Sequence, residues 1–191
     1  ERAIKEYPDR LIGLYTVNPW NDNGEENLKD ALDNHGFKGL RLDPVRHGFL
    51  LNESEAFYPL LQICSDREMP VWCYGSSEVF CCPILFERVA KDFPKVNIIM
   101  GRNGLGYDGS SAASVANRNT NIYLETSGSM DYDFPRAIKG AGVDRTLMGT
   151  GTPEIGVFEF ELMKIRLGLP DDKESQDKVL GLNAARLFGV S

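Results

Sequence analysis

The side chains best suited to acid–base or metal chemistry are few in this sequence. It contains two histidines, His35 and His47. His35 stands before Gly36 at the end of a predicted helix, where a cation complements the helix dipole, so its position indicates a structural role. His47 lies in the segment Asp43-Pro-Val-Arg-His-Gly48 after a predicted strand, which makes Asp43 and His47 the catalytic candidates. Two histidines are too few for a familiar zinc site.

Four cysteines fall in one short stretch, without the spacing of a metal or disulfide motif: Cys64, Cys73, Cys81 and Cys82. This usage favours a reducing compartment, and we expect a cytoplasmic location. Cys73 lies within a predicted strand, and alternation along that strand turns its side chain toward the helices. Cys81 and Cys82 follow the strand and could be reactive thiols. No His or Lys stands next to them to lower their pKa, so packing is the preferred interpretation.

Common motifs of other enzyme classes are missing from the sequence. The run Gly101-Arg-Asn-Gly-Leu-Gly106 is glycine-rich but departs from the dinucleotide pattern, and no acidic residue follows at the spacing that a ribose requires. No Gly-x-Ser-x-Gly elbow is present, which argues against a serine hydrolase. With 21 basic and 28 acidic residues the net charge is −7, and the basic residues form no stripe. We therefore expect neither nucleic acid nor membrane as a partner.

The 191 residues show short β-rich runs that alternate with amphipathic helical segments, and no linker separates them. Each predicted strand is apolar on both faces, as a parallel strand covered by helices should be. The predicted strands are Leu11–Val17, Phe37–Leu42, Pro70–Tyr74, Val96–Gly101, Asn121–Thr126 and Arg145–Gly149. The predicted helices include Glu26–His35, Ser54–Arg67 and Pro83–Asp92. We predict one α/β domain over residues 1–191, and periodicity leaves open a doubly wound sheet or a (βα)8 barrel.

Several of these segments have sequences that resemble those of a known family. They are Tyr7-Pro-Asp-Arg-Leu-Ile-Gly13, Gly36-Phe-Lys-Gly-Leu-Arg-Leu42, Met69-Pro-Val-Trp-Cys-Tyr74, Phe93 to Gly104, Asn121-Ile-Tyr-Leu-Glu-Thr-Ser-Gly128 and Asp144 to Pro153. In their order along the chain and in their sequences, these segments resemble the amidohydrolase-related barrels, especially the branch that includes aminocarboxymuconate-semialdehyde decarboxylase. The resemblance implies a TIM (β/α)8-type barrel of which this chain holds strands three to eight. The first two strands, with the His-x-His of strand one, would lie upstream or, less favoured, come from a partner.

Members of this family hold a divalent metal, usually zinc, at the carboxyl ends of the strands. The resemblance aligns Tyr74 with the histidine of the family's fifth strand, Arg102 with that of the sixth and Gly151 with the aspartate of the eighth. A phenol with a pKa of about 10 is a poor ligand at neutral pH, a guanidinium repels cations, and glycine has no side chain. We therefore expect no metal at Tyr74, Arg102 and Gly151, and no cofactor.

The same alignment places a set of polar and aromatic residues at the mouth of the barrel. These ligand-binding candidates are Arg41, Trp72, Tyr74, Arg102, Asn103, Glu125 and Ser127, with Asp43 beside them. Arg41 and Arg102 could bind a carboxylate or a phosphate, since planar guanidinium groups suit such anions. The alternative is that Arg102 pairs with Asp43 or Glu125 and fills the space of the metal.

Two functional hypotheses follow, and the enzyme class stays open between them. We favour a catalytically silent family member that binds a small anionic ligand or serves as a structural subunit, as a homodimer or beside an active paralogue. The alternative is an active metal-dependent hydrolase or nonoxidative decarboxylase. It would hold zinc or manganese through the upstream His-x-His and through unconventional ligands from Asp43, His47 or Glu125.

Overall fold

The computed structural model describes residues 1–106 and 108–190, and their strands form one parallel sheet. The strands are β1 (Tyr15–Thr16), β2 (Leu40–Leu42), β3 (Val71–Ser76), β4 (Ile98–Leu105), β5 (Ile122–Glu125) and β6 (Thr146–Leu147). They lie in the order β1-β2-β3-β4-β5-β6, and every neighbouring pair is parallel. A doubly wound sheet reverses its strand order at a switch point, whereas this order runs in one direction, as in a barrel.

Helices connect the strands. The helices are α1 (Arg2–Glu6), α2 (Gly24–Asn34), α3 (Pro44–His47), α4 (Ser54–Asp66), α5 (Pro83–Asp92), α6 (Gly109–Arg118), α7 (Asp133–Ala141), α8 (Phe158–Gly168), α9 (Lys173–Asp177) and α10 (Asn183–Phe188). A 3₁₀ turn spans Val143–Arg145 and a π-helical turn spans Lys178–Leu182. No helix within the described residues is both long and apolar enough to cross a bilayer.

Strand boundaries differ from the prediction at both edges of the sheet and in its middle. The predicted strands Leu11–Val17 and Arg145–Gly149 shrink to the two residues each of β1 and β6. Within the described residues each of these strands pairs with one neighbour only, so its ladder is short. In contrast, β4 continues past its predicted end at Gly101 to Leu105. Helix α5 has the predicted bounds, Pro83–Asp92.

The core lies between the sheet and the helices. Cys73 is buried there in one apolar cluster with Leu42, Phe57 and Phe86, which confirms that its side chain faces the helices. Burial of such residues is the main stabilising contribution to the fold.

Three side chains stabilise the loops at the amino ends of the strands by hydrogen bonds to the backbone. Asn121, Arg145 and Asn183 each donate to backbone carbonyls of the preceding βα unit. The acceptors are the carbonyls of Ala90, Phe93 and Val96 for Asn121, those of Ala116, Asn119 and Ile122 for Arg145, and those of Val143 and Thr146 for Asn183. All these bonds are 2.7–3.1 Å long. These hydrogen bonds stabilise the amino end of the sheet, and a cavity lies at the opposite, carboxyl end.

Candidate functional site

A cavity of about 450 Å³ lies at the carboxyl end of the sheet. Side chains from β2 to β5 meet the loop after β6 around it. Its lining residues are Arg41, Trp72, Arg102, Glu125, Ser127, Gly149, Gly151, Thr152, Pro153 and Glu154. Parallel strands bring their carboxyl ends to one edge, and this explains why residues so distant in sequence converge here.

The backbone adopts a left-handed conformation at two residues within β4. Arg102 has φ of 62° and Asn103 has φ of 47°, values that cost about 1 kcal/mol or more for residues other than glycine. The N–H of Arg102 donates to Oε2 of Glu125 at 3.0 Å. This bond from the neighbouring strand helps to hold the turn that directs Arg102 into the cavity.

Glu125 is a buried carboxylate whose two oxygens are both engaged. Oε1 accepts the backbone N–H of Ser127 at 2.7 Å, and Oε2 accepts the Ser127 hydroxyl at 3.0 Å besides the N–H of Arg102. A Cβ added to Gly149 would lie 1.4 Å from Oε1, so any other residue there would displace this carboxylate from its present position. Glu125 therefore organises the strand ends, and little of it is left to bind a metal.

The Arg102 guanidinium lines the cavity although its side chain is only 5% exposed. Its Cζ lies 5.1 Å from the centroid of the Tyr74 ring, and Nη2 donates to Oε2 of Glu154 at 2.9 Å. Nε and Nη1 are buried and have no acceptor within the described residues. The alternative in which this guanidinium pairs with a carboxylate is therefore seen, but with another partner than Asp43 or Glu125: Glu125 accepts the backbone N–H, and the loop after β6 supplies Glu154.

Arg41 on β2 and Trp72 on β3 also line the cavity. The Arg41 Cζ lies 5.0 Å from the Trp72 ring centroid, a cation–π contact, and Nη2 donates to Oδ2 of Asp43 at 3.3 Å. Oδ1 of Asp43 accepts the N–H of Arg46 at 3.1 Å and caps α3. A Cβ on Gly101 would lie 2.2 Å from the Trp72 ring, so glycine there lets the indole lie close to β4.

Four predicted candidates do not line the cavity themselves: Asp43, His47, Tyr74 and Asn103. His47 ends α3, its carbonyl accepts the Trp20 indole N–H at 3.0 Å, and burial lowers the pKa of its imidazole despite the nearby Asp43. Asn103 is buried, with Nδ2 3.5 Å from the carbonyl of Asp133 on α7.

The thiols are suited to packing rather than to nucleophilic chemistry. Burial raises the pKa of Cys81, whose Sγ lies 3.3 Å from the Ser76 hydroxyl, and raises that of Cys73 well above its ordinary value. A thiol with a raised pKa is protonated at neutral pH and is a weak nucleophile.

Of the residues in the loop after β6 that line the cavity, the sequence analysis singled out Gly151 alone. Gly151 has φ of 64°, and its carbonyl accepts the N–H groups of Glu154 and Ile155 at 2.9 and 3.1 Å. This turn carries Thr152, Pro153 and Glu154 to the cavity. The available signal was Glu154, an acidic residue two positions after the sequence Gly149-Thr-Gly-Thr152.

The lining carries two guanidinium groups and two carboxylates, Glu125 and Glu154, so its formal charges cancel, and it is the unpaired Nε and Nη1 of Arg102 that favour an anion over a divalent cation. Arg41 and Arg102 bring two guanidinium groups to the cavity, and the oxygens of Glu125 are already taken by N–H and O–H donors. In the part of the chain that the structure describes, no three His, Cys, Asp or Glu side chains come together as a metal site.

Comparisons with known proteins identify the fold and the family. The chain is similar to the uncharacterized TIM-barrel protein Bb4693 from Bordetella bronchiseptica, with 23% identity, a TM-score of 0.83, and coverage of 98% of this chain and 70% of that one. It is also similar to 5-carboxyvanillate decarboxylase LigW from Sphingomonas paucimobilis, with 16% identity, a TM-score of 0.77, and coverage of 100% and 70%. A third similar structure is 2,6-dihydroxybenzoate decarboxylase from Rhizobium, with 15% identity, a TM-score of 0.74, and coverage of 98% and 74%. No curated protein sequence matches the chain.

These likenesses confirm the predicted fold class, an α/β chain that covers part of a TIM-type barrel. The family model described as Amidohydrolase (Amidohydro_2) matches residues 1–190, in agreement with the resemblance drawn from the strand ends. Since that match spans nearly every residue, the chain belongs to the amidohydrolase family.

Proposed function

We propose that this amidohydrolase-family chain binds a small anionic ligand at Arg102 and is catalytically silent. The observation that carries the proposal is the buried Arg102 guanidinium, whose Nε and Nη1 have no acceptor within the described residues. Leaving donors of a buried charged group unpaired costs at least about 1–3 kcal/mol, and a bound carboxylate or phosphate oxygen would remove that cost.

The residues aligned with the family's metal ligands support the silent state. Burial raises the pKa of Tyr74 above its ordinary value, so its phenol stays protonated at neutral pH and is a poor ligand. Arg102 contributes a positive charge, and Gly151 contributes no side chain. We propose that this chain holds no catalytic metal through these three positions.

The proposal is tested by titrating the chain with acetate, benzoate and inorganic phosphate in a calorimeter. Arg102→Gln should weaken anion binding by about 10- to 100-fold, the worth of one or two charge-assisted hydrogen bonds. The matched control is Arg88→Gln on the exposed side of α5, which should bind like the wild type. Anion binding that is absent in the wild type, or equal in Arg102→Gln, would refute the proposal.

A second candidate function is metal-dependent hydrolysis or nonoxidative decarboxylation, favoured by the family and by the decarboxylases among the similar structures. It requires ligands such as Asp43, His47 or Glu125. Metal content decides between the two, measured by elemental mass spectrometry on protein purified without chelator or added metal. Near-stoichiometric zinc or manganese would support the enzyme, and a folded protein without metal would support the silent binder.

We also propose a cytoplasmic location, which the four free cysteines support.

A further inference from the structure

We infer that this chain forms a homodimer in which helix α8 of one copy packs antiparallel against α8 of a second copy. The contact surface is an apolar patch outside the Arg102 cavity, so the inference does not depend on the proposed anion binding. It gives the homodimer considered from the sequence a definite surface.

Helix α8 has two apolar faces, and only one of them is covered. Ile165 lies on the buried face and is fully enclosed. On another face Phe160, Met163 and Leu167 recur at the three- and four-residue spacing that places side chains in one row along a helix. These three side chains are 48%, 48% and 71% exposed. The helix therefore presents an apolar stripe to solvent.

The stripe continues onto the loops beside the amino end of α8. Val157 directly before the helix, Ile155 in the loop after β6 and Met130 in the loop after β5 line one cavity together with Phe160. Val157, Ile155 and Met130 are 62%, 47% and 47% exposed. The stripe and these loop residues form one continuous surface, which we call the α8 patch: Met130, Ile155, Val157, Phe160, Met163 and Leu167.

The area of the α8 patch fits an interface between two proteins. At roughly 200 Å² for a large apolar side chain, the exposed fractions amount to about 600 Å². The largest apolar patch on a typical monomer covers about 300–600 Å², and each side of a standard interface covers about 800 Å². The α8 patch with its polar rim therefore suffices for one side of such an interface. A second copy supplies the other side, because a two-fold axis brings the same surface of both copies together.

Two opposite charges beside the stripe favour the antiparallel arrangement. Glu159 and Arg166 are exposed and lie seven residues, or about two turns, apart on the same flank of the stripe. In the described part of the chain neither of them belongs to an ion pair. A two-fold axis that passes near Met163 at a right angle to α8 brings Glu159 of each copy toward Arg166 of the other. In a parallel pair the two flanks would lie on opposite sides of the interface and could not form these ion pairs.

The test is the oligomeric state of the chain, measured by sedimentation velocity and light scattering from about 1 to 100 μM. The wild type should have twice the mass of one chain. Leu167→Glu should weaken dimerisation by at least about 100-fold, because the symmetric contact loses the leucine twice and gains two carboxylates. The matched control is Ile84→Glu on α5, which changes the charge equally at a side chain that is 56% exposed and outside the α8 patch. It should dimerise like the wild type, and circular dichroism verifies that both variants are folded.

Charge reversal tests the orientation of the two helices. Glu159→Arg and Arg166→Glu should each weaken the dimer by about 3- to 30-fold, because each brings like charges together at two symmetric positions. The double variant Glu159→Arg/Arg166→Glu should recover the wild-type dimer, since the ion pairs form again with their signs exchanged.

The remaining outcomes would overturn the inference. A wild type that stays monomeric up to about 100 μM would show that the α8 patch does not bind a second copy and is left to a different protein. A dimer that a folded Leu167→Glu variant retains would show that the copies meet elsewhere. A dimer that Leu167→Glu dissociates, but that the double charge reversal does not restore, would contradict the antiparallel arrangement.

Discussion

Replacing Lys164 by methionine should destabilise the protein strongly. The Lys164 ammonium lies 2.6 Å from Oε2 of Glu161, and the two side chains are 1% and 2% exposed. It also donates to the carbonyls of Thr126 and Ser129 at 2.8 and 2.9 Å. Methionine keeps the length of the side chain but leaves the Glu161 carboxylate buried with the N–H of Gly128 as its remaining donor. Breaking a buried ion pair from one side costs about 3–5 kcal/mol.

Urea unfolding followed by circular dichroism and by tryptophan fluorescence measures this loss. With a slope of about 2 kcal/mol per molar urea, the midpoint should fall by roughly 2 M. The double variant Lys164→Met/Glu161→Gln should lose less than the sum of the single variants, because it also removes the stranded charge. Lys91→Met, on the exposed surface of α5, is the matched control and should change the midpoint little. A Lys164→Met midpoint no lower than that of Lys91→Met would refute this account of the pair.

Two more predictions follow from buried groups. Asn183→Ala leaves two backbone carbonyls without their donor, so the free energy of unfolding should fall by about 1–3 kcal/mol in the same urea assay, and an unchanged midpoint would contradict the role of this amide. Iodoacetamide at pH 8 should modify the half-buried Cys82 before Cys64, since burial raises the pKa of Cys64 to about 12, and mass spectrometry that finds equal rates would contradict this order. That raised pKa also makes stability depend on pH. The contribution of the buried Cys64 thiol to the free energy of unfolding is complete below the thiol's pKa in the unfolded chain, about 8.5, and is lost as the pH rises from there toward 12.

The sequence predicted the number and order of the parallel strands correctly, but it did not predict the residues at which most of them begin and end. Runs that are apolar on both faces mark covered parallel strands, and all six of them form strands in the structure. Their lengths depend on partners, which periodicity does not report. An extended segment such as Leu11–Val17 forms a ladder only where a neighbour is in register, so two residues of it are strand. The left-handed turn at Arg102 and Asn103 carries no periodic signal either.

The site was predictable to the extent that strand ends converge. Arg41, Trp72, Arg102 and Glu125 stand on four neighbouring strands, and the fold brings them to one cavity. The partner of the Arg102 guanidinium was not predictable in this way. Glu154 lies 52 residues further along the chain, in a loop whose path follows from a turn rather than from a strand.

That loop also bears on whether a metal ligand could be introduced here. At position 102, Glu125 accepts the backbone N–H rather than the guanidinium, so this contact does not depend on the side chain. Position 151 is different, since its φ of 64° is a left-handed conformation that glycine adopts more readily than aspartate. The same turn that favours glycine at position 151 brings the carboxylate of Glu154, three residues later, to the guanidinium of Arg102. The arginine within β4 and the glycine in the loop after β6 thus belong to one arrangement, in which the turn at Gly151 brings the Glu154 carboxylate to the Arg102 guanidinium.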